Sequence, residues 1–263
     1  MRHRISFLLI TLLALSTLSL ADEWKKEFTT SAKPTIRVDA NDASIEVQAI
    51  DGNKIEARVV TSHGKISPNE VRVTDRQSGD RIDLEIHRPS HYFCIGICNE
   101  SVRISLQVPR SSNLDLHTGD GHITVDDVKG EVRLDSSDGE LIARSLDGML
   151  NADTRDGSIR VSGRFDRLDL HTSDGNINAQ IASASKMGSS WALRTGDGTI
   201  TLRLPADFSA DLDAHTGDGH VSSDFPITVS GSLKENSLRG RLNGGGALLE
   251  VRTGDGDIRL EKF

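Results

Sequence analysis

Seven aspartates recur in one setting, and that setting limits the chemistry open to them. Asp120, Asp138, Asp156 and Asp174 lie eighteen residues apart in the pattern Thr/Ser-x-Asp-Gly, and Asp197, Asp218 and Asp255 repeat it with looser spacing. If successive repeats stack as strands about 4.8 Å apart, neighbouring carboxylates repel by about 1 kcal/mol per pair even in water. Something must offset that charge. Calcium between repeats is one answer, with Asp120, Asp138, Asp156 and Asp174 as ligands. Calcium-binding β-rolls also repeat at nine residues, but they use Gly-Gly-x-Gly-x-Asp, and the paired glycines are missing here. Turn chemistry is the other answer. Asp accepts hydrogen bonds from nearby backbone N–H groups, and the following glycine can take φ > 0. Asp-Gly is a strong tight-turn signal, so the turn reading is preferred. It expects Gly139, Gly157 and Gly175 to share one turn position that no β-branched residue can enter.

Other groups offer other chemistry. His87, His91, Cys94 and Cys98 are spaced four, three and four apart, and mixed Cys/His sets bind zinc. Cys94 and Cys98 are also the only cysteines, bracketing Ile95-Gly96-Ile97 like a hairpin tip, and so could form a disulfide. A column of His117, Asp135, Asp153, His171, Arg194, His215 and Arg252 precedes each hydroxyl of the repeat. Its parity is opposite to that of Leu116, so it should face solvent as a ladder of partly compensating charge. The hydroxyls themselves, Thr118, Ser136, Thr154, Thr172, Thr195, Thr216 and Thr253, share the parity of the core leucines. They should sit at an inner corner and bond turn backbone.

No recognisable catalytic set is present: there is no Gly-x-Ser-x-Gly elbow, His-Glu-x-x-His pair or phosphate loop. A polysaccharide lyase would need a basic residue beside acidic calcium ligands. Arg133, Arg144, Arg160 and Arg194 are available, but nothing singles one out.

The elements that would position these groups are short strands. Between the turns apolar residues alternate, as in Ile123 and Val125, Val132 and Leu134, Ile159 and Val161, Leu168 and Leu170. Period-two alternation with glycine punctuation reads as β-strands. A fixed repeat reads as a stack of coils. Before residue 111 the strands are less regular. Asn41 to Val47 is a worn copy of the unit, and Ser101 to Val108 is a strand closed by Pro109. The expected fold is therefore all-β, a parallel β-helix or β-solenoid with coils of about eighteen residues and an irregular antiparallel N-terminal cap. Such a cap protects an open edge. The insertions at Ser183 to Ser190 and Phe225 to Gly246 should leave the stack as loops, and any pocket should lie beside them. Lys186, Asp207, Asp224 and Glu235 are the acids and bases available there.

Residues 1–21 read as a secretory signal peptide. Arg2 and Arg4 are followed by the apolar run Phe7 to Leu15 and by small residues before Asp22. The mature chain, 22–263, is expected to be a single solenoid domain, with a less regular part at 22–110 and regular repeats at 111–263. An exported pair of cysteines so close should be oxidised, which favours a Cys94–Cys98 disulfide over zinc. Without Arg2 and Arg4, 29 of the 31 basic residues remain against 39 acidic ones, a formal charge of −10. Such a chain repels nucleic acid and anionic lipid, and no further run is long enough to span a membrane.

The repeated Leu-x-Leu-x-Thr-x-Asp-Gly-x-Ile-x-Val unit, after a strand ending in Val108-Pro109 and a signal peptide, resembles the bacterial putative-adhesin family, a β-strand-repeat family of unknown function. The resemblance runs from about Phe28 to Leu260. It implies a parallel β-helix of the cell envelope with no established enzymatic activity. The sequence thus leads to an exported, non-enzymatic, adhesin-like binding or structural module of the periplasm or cell surface. It needs no cofactor, and its partner is an envelope protein or polysaccharide. A polysaccharide-active enzyme and an accessory component of envelope-stress signalling are the alternatives.

Overall fold

The computed structural model describes residues 21–31, 33–62, 64–88, 101–183, 185–229 and 234–263. All regular structure among these residues is β. The N-terminal strands are β1 (Glu23–Thr29), β2 (Thr35–Ala40), β3 (Ala43–Ile50), β4 (Lys54–Thr61), β5 (Arg72–Ser78), β6 (Arg81–His87) and β7 (Val102–Pro109). The middle of the chain gives β8 (Asn113–Thr118), β9 (Ile123–Asp126), β10 (Lys129–Ser136), β11 (Leu141–Thr154), β12 (Ile159–Thr172) and β13 (Ile177–Ile181). The C-terminal part adds β14 (Trp191–Asp197), β15 (Ile200–Leu204), β16 (Ala210–Asp218), β17 (Val221–Ser223), β18 (Ile227–Val229), β19 (Ser237–Leu242), β20 (Leu248–Asp255) and β21 (Ile258–Lys262).

The strands form two facing layers around one core, a solenoid-like arrangement. The front layer runs β5, β6, β2, β8, β10, the second half of β11, the second half of β12, β14, β20, β16, β19 and β18. The back layer runs β1, β4, β7, β3, β9, the first half of β11, the first half of β12, β13, β15, β21 and β17. A chain segment crosses from front to back at the Thr/Ser-x-Asp-Gly corner and returns at a second corner. β11 and β12 each run through that second corner as one strand, with register shifts between Ala143 and Leu146 and at Gly148 and Met149. Such irregularities let a strand bend.

Pairing within the stack is parallel. Leu114 faces Val132, Val132 faces Leu150 and Leu150 faces Leu168 on the front; Ile123, Leu141, Ile159 and Ile177 form the matching back column. Each step is eighteen residues, the spacing at which the same side chain returns to the same wall. Alternation buries one side of every strand, and these columns are almost fully inaccessible. Burying a side chain of this size contributes about 1.5–3 kcal/mol. Trp191 replaces an aliphatic residue in the front column opposite Leu249. Phe165 meets it edge-on at 6.5 Å and Phe208 packs at 5.5 Å. Its indole N–H is satisfied by the Asp166 carbonyl at 3.3 Å.

The coils do not stack in chain order. The β2–β3 coil lies between the coils of β6–β7 and β8–β9. Likewise β20–β21, the last coil of the chain, lies between β14–β15 and β16–β17. Antiparallel strands close the stack: β5, β4 and β1 at one end, β19 and β18 at the other.

Candidate functional site

At the first corner the hydroxyls do the holding. Thr118 donates to the Ala43 carbonyl at 2.8 Å, and Ser136, Thr154 and Thr172 donate to the carbonyls of Gly121, Gly139 and Gly157 at 3.0, 3.2 and 2.8 Å. Thr195 reaches Gly175, Thr253 reaches Gly198 and Thr216 reaches Gly256, at 2.9, 2.9 and 2.8 Å. Ser136 also accepts the Gly139 N–H at 3.0 Å. All seven hydroxyls are buried. Each ties its own turn to the coil stacked beside it.

The aspartates do not share that role. Asp120, Asp138, Asp156, Asp174, Asp197, Asp218 and Asp255 are exposed, and hydrogen bonding at their turns runs through backbone N–H groups and the hydroxyls. No hydrogen bond joins their carboxylates to other described residues. Solvent therefore carries the charge of this column. The glycines beside them are also needed for a reason other than turn conformation. Gly139, Gly157 and Gly175 do not adopt left-handed φ. A Cβ at these positions would lie 1.8, 2.0 and 2.2 Å from a carbonyl oxygen of the coil below. Close approach of coil to coil excludes a side chain.

On the front, the outward column is continuous. Asp39, His117, Asp135, Asp153, His171, Arg194, Arg252 and His215 stand in that spatial order. Its first half is rich in carboxylates and its second half in arginines. His117 Nδ1 lies 2.6 Å from Asp135 Oδ1. Partial burial raises the pKa of Asp153 above the usual carboxylate value; His171 opposes this and Asp135 adds to it. At the basic end Arg194 pairs with Glu250, while Arg252 and Arg239 both bind Asp213 at 2.9 and 3.0 Å. The Arg252 hydrogen bond is the main cause that lowers the pKa of Asp213. Arg133 stands in the neighbouring column between Asp115 and Asn151.

On the back, a shallow groove of about 300 Å³ runs across β11, β12, β13 and β15. Its floor carries Ser162, Asn178, Gln180 and Thr201, and Arg144, Arg160 and Arg203 rise around it. The groove exists because side-chain length changes along otherwise equivalent columns. Ser162, Gln180 and Arg203 form one column, with Arg144 at the register shift that follows Ala143, and Ile142, Arg160, Asn178 and Thr201 form the next. Arg144 pairs with Asp126 at 3.2 Å, Arg160 with Glu140, and Arg203 with Glu261 at 2.8 Å. Sequence reading named Arg144 and Arg160 without marking either, and missed Arg203 and the polar floor. The only available signal was an outward position recurring at eighteen residues.

A second pocket, about 370 Å³, opens where the insertions leave the second corner. It brings Lys186 and Asp207 to one rim, with Met187, Pro205 and Phe208 beside them. Asp224 and Glu235 lie elsewhere. Asp224 accepts the Lys262 N–H at 3.2 Å, and Glu235 approaches His220 at 3.8 Å. Of the zinc candidates, His87 contacts Asn41, while His91, Cys94 and Cys98 lie outside the described residues, as does the disulfide. Among the described residues no three His, Cys, Asp or Glu side chains gather as a metal site, and no helix is long and apolar enough to cross a membrane.

Solved structures to which the chain is similar include three bacterial proteins. One is a putative cell adhesion protein of Clostridium sporogenes, 16% identical, covering 93% of this chain and 100% of its own, with a TM-score of 0.43. Another is a putative adhesin of Bacteroides fragilis, 10% identical, covering 92% and 97%, with a TM-score of 0.46. The third is a putative lipid binding protein of Parabacteroides distasonis, 13% identical, covering 91% and 96%, with a TM-score of 0.40. No curated protein matches the chain. A family model matches residues 34–261, which takes in every Thr/Ser-x-Asp-Gly corner: the chain belongs to the Toastrack DUF4097 family.

Proposed function

We propose that the protein is an exported, non-enzymatic, adhesin-like binding or structural module of the bacterial cell envelope. Residues 1–21 act as a removable signal peptide. Residues 22–263 act as one β-solenoid domain with eighteen-residue coils and an antiparallel N-terminal cap, and Cys94 and Cys98 form a disulfide. One observation carries the reading: outward side chains stand in register over many coils on both layers. Rows of this kind offer repeated contacts to an extended partner, whereas catalysis asks for different groups converging on one point.

The test is sedimentation of the purified mature chain with isolated envelope polymer, followed by assay of the supernatant for released fragments. Binding without release is expected. Release that vanished on neutralising Lys186 or Asp207, which share a pocket, would replace the module with a polysaccharide-active enzyme. Loss of an envelope-stress response in a deletion strain, with no polymer or protein bound, would favour the signalling alternative.

A further inference from the structure

Given a binding module, the geometry points to its ligand class and site: the back groove holds a stretch of acidic, uronate-type polysaccharide. Arg144 on β11 and Arg203 on β15 lie three coils apart, about 14 Å at strand spacing. That is the length of a short run of sugars. Between them the floor offers a fresh hydroxyl or amide on each coil, a repeat close to the advance of one sugar unit. Ser162, Asn178, Gln180 and Thr201 can both donate to and accept from ring hydroxyls.

The arginines supply the charge selection. Their side chains are 55%, 56% and 54% exposed for Arg144, Arg160 and Arg203, against 25%, 27% and 40% for Asp126, Glu140 and Glu261. Each arginine is thus the more exposed member of its pair and, with five N–H donors, has donors beyond those its counter-ion takes. Those counter-ions lie beyond the groove, and no carboxylate lines it, in a chain whose formal charge is −8. A fork of N–H donors matches a carboxylate. The groove also lacks an aromatic ring. That removes the usual platform for a neutral sugar and the usual anchor of a protein partner.

The test uses the mature chain and titration calorimetry with three probes: polygalacturonate, its methyl ester and inorganic polyphosphate. Salt-sensitive binding of polygalacturonate is expected, with the ester at least tenfold weaker. Arg160→Gln and Arg203→Gln should each weaken binding about tenfold at an unchanged melting temperature. Asn178→Trp should block the floor. Arg194→Gln, on the front, should leave binding as it was. Equal affinity for the ester, tighter binding of polyphosphate, or indifference to both groove arginines would overturn the assignment. If polygalacturonate fails while envelope polymer still binds, this site falls and the module stands; if neither binds, both fall.

Discussion

Gly157→Ala tests the coil-to-coil contact directly. An alanine Cβ there would sit 2.0 Å from the Gly139 oxygen and 2.7 Å from its carbonyl carbon. Comfortable contact needs roughly 3.5 Å, so the coils must part by more than about 1 Å. Three donors cross this corner: the Arg155 and Asp156 N–H groups to the Ser137 carbonyl at 2.8 and 3.0 Å, and the Thr154 hydroxyl, shared between the Ser137 and Gly139 carbonyls at 3.2 Å each. Such a shift carries them beyond useful length, at about 0.5–1.5 kcal/mol each, and overpacking adds about 1–3 kcal/mol. A loss of about 2.5–7.5 kcal/mol is expected. For a domain of this size that lowers the melting temperature by roughly 5–30 °C. Urea titration and thermal circular dichroism should agree on it. Gly244→Ala is the control, because no atom lies within 4 Å of its Cβ and its φ is not left-handed. It should change stability by less than about 0.5 kcal/mol. A Gly157→Ala protein melting within about 2 °C of the parent would refute the close-approach argument.

Thr154→Val keeps the shape and removes the hydroxyl that reaches Gly139, so it should cost about 1–2 kcal/mol in the same urea titration. Because the folded pKa of Asp153 is raised, its contribution is favourable below the ordinary carboxylate value and is lost as pH rises through the raised one. Asp153→Asn should therefore raise the melting temperature at pH 7, on the order of 1–2 °C given its exposure, and the gain should vanish below about pH 3.8; a gain independent of pH would contradict this. Mass spectrometry of the exported, non-reduced protein should find Cys94 joined to Cys98, and two free thiols with bound zinc would overturn that pairing. Millimolar calcium should barely move the melting temperature relative to chelator, since the corner aspartates hold no common site; a large rise would make them ligands.

Much of the architecture was legible because it is periodic. The eighteen-residue beat of Asp120, Asp138, Asp156 and Asp174 located one corner, and parity alone placed Thr118, Ser136, Thr154 and Thr172 inside it. The need for glycine at position 157 was also legible, but not its cause, since a left-handed turn and a crowded coil leave the same residue in a sequence. The order of coils was illegible for a physical reason. β20–β21 presents the same core columns as its neighbours, so complementarity does not tell which gap it fills. The back groove was equally silent. It depends on Ser162 and Gln180 being short between Arg144 and Arg203, and surface positions carry no motif.

The interior placement of the final coil bears on how the molecule is assembled and cut. A stack whose coils followed chain order could zip from one end, each new strand finding a finished template. Here β16–β17 must wait, held apart from β14–β15, until Leu248 to Lys262 arrives to fill the space between them. Contacts so distant in sequence slow folding and make the whole stack an all-or-none structure. A protease nick within β19 followed by loss of the tail would not shorten the rack but leave it gapped, with two unpaired edges facing each other. The best complement to that gap is the missing segment, from the same molecule or from another. A peptide spanning 248–262, added to a chain truncated at residue 247, should therefore restore the lost melting transition, and failure to do so while the truncated chain stays folded would show that the gap closes on itself.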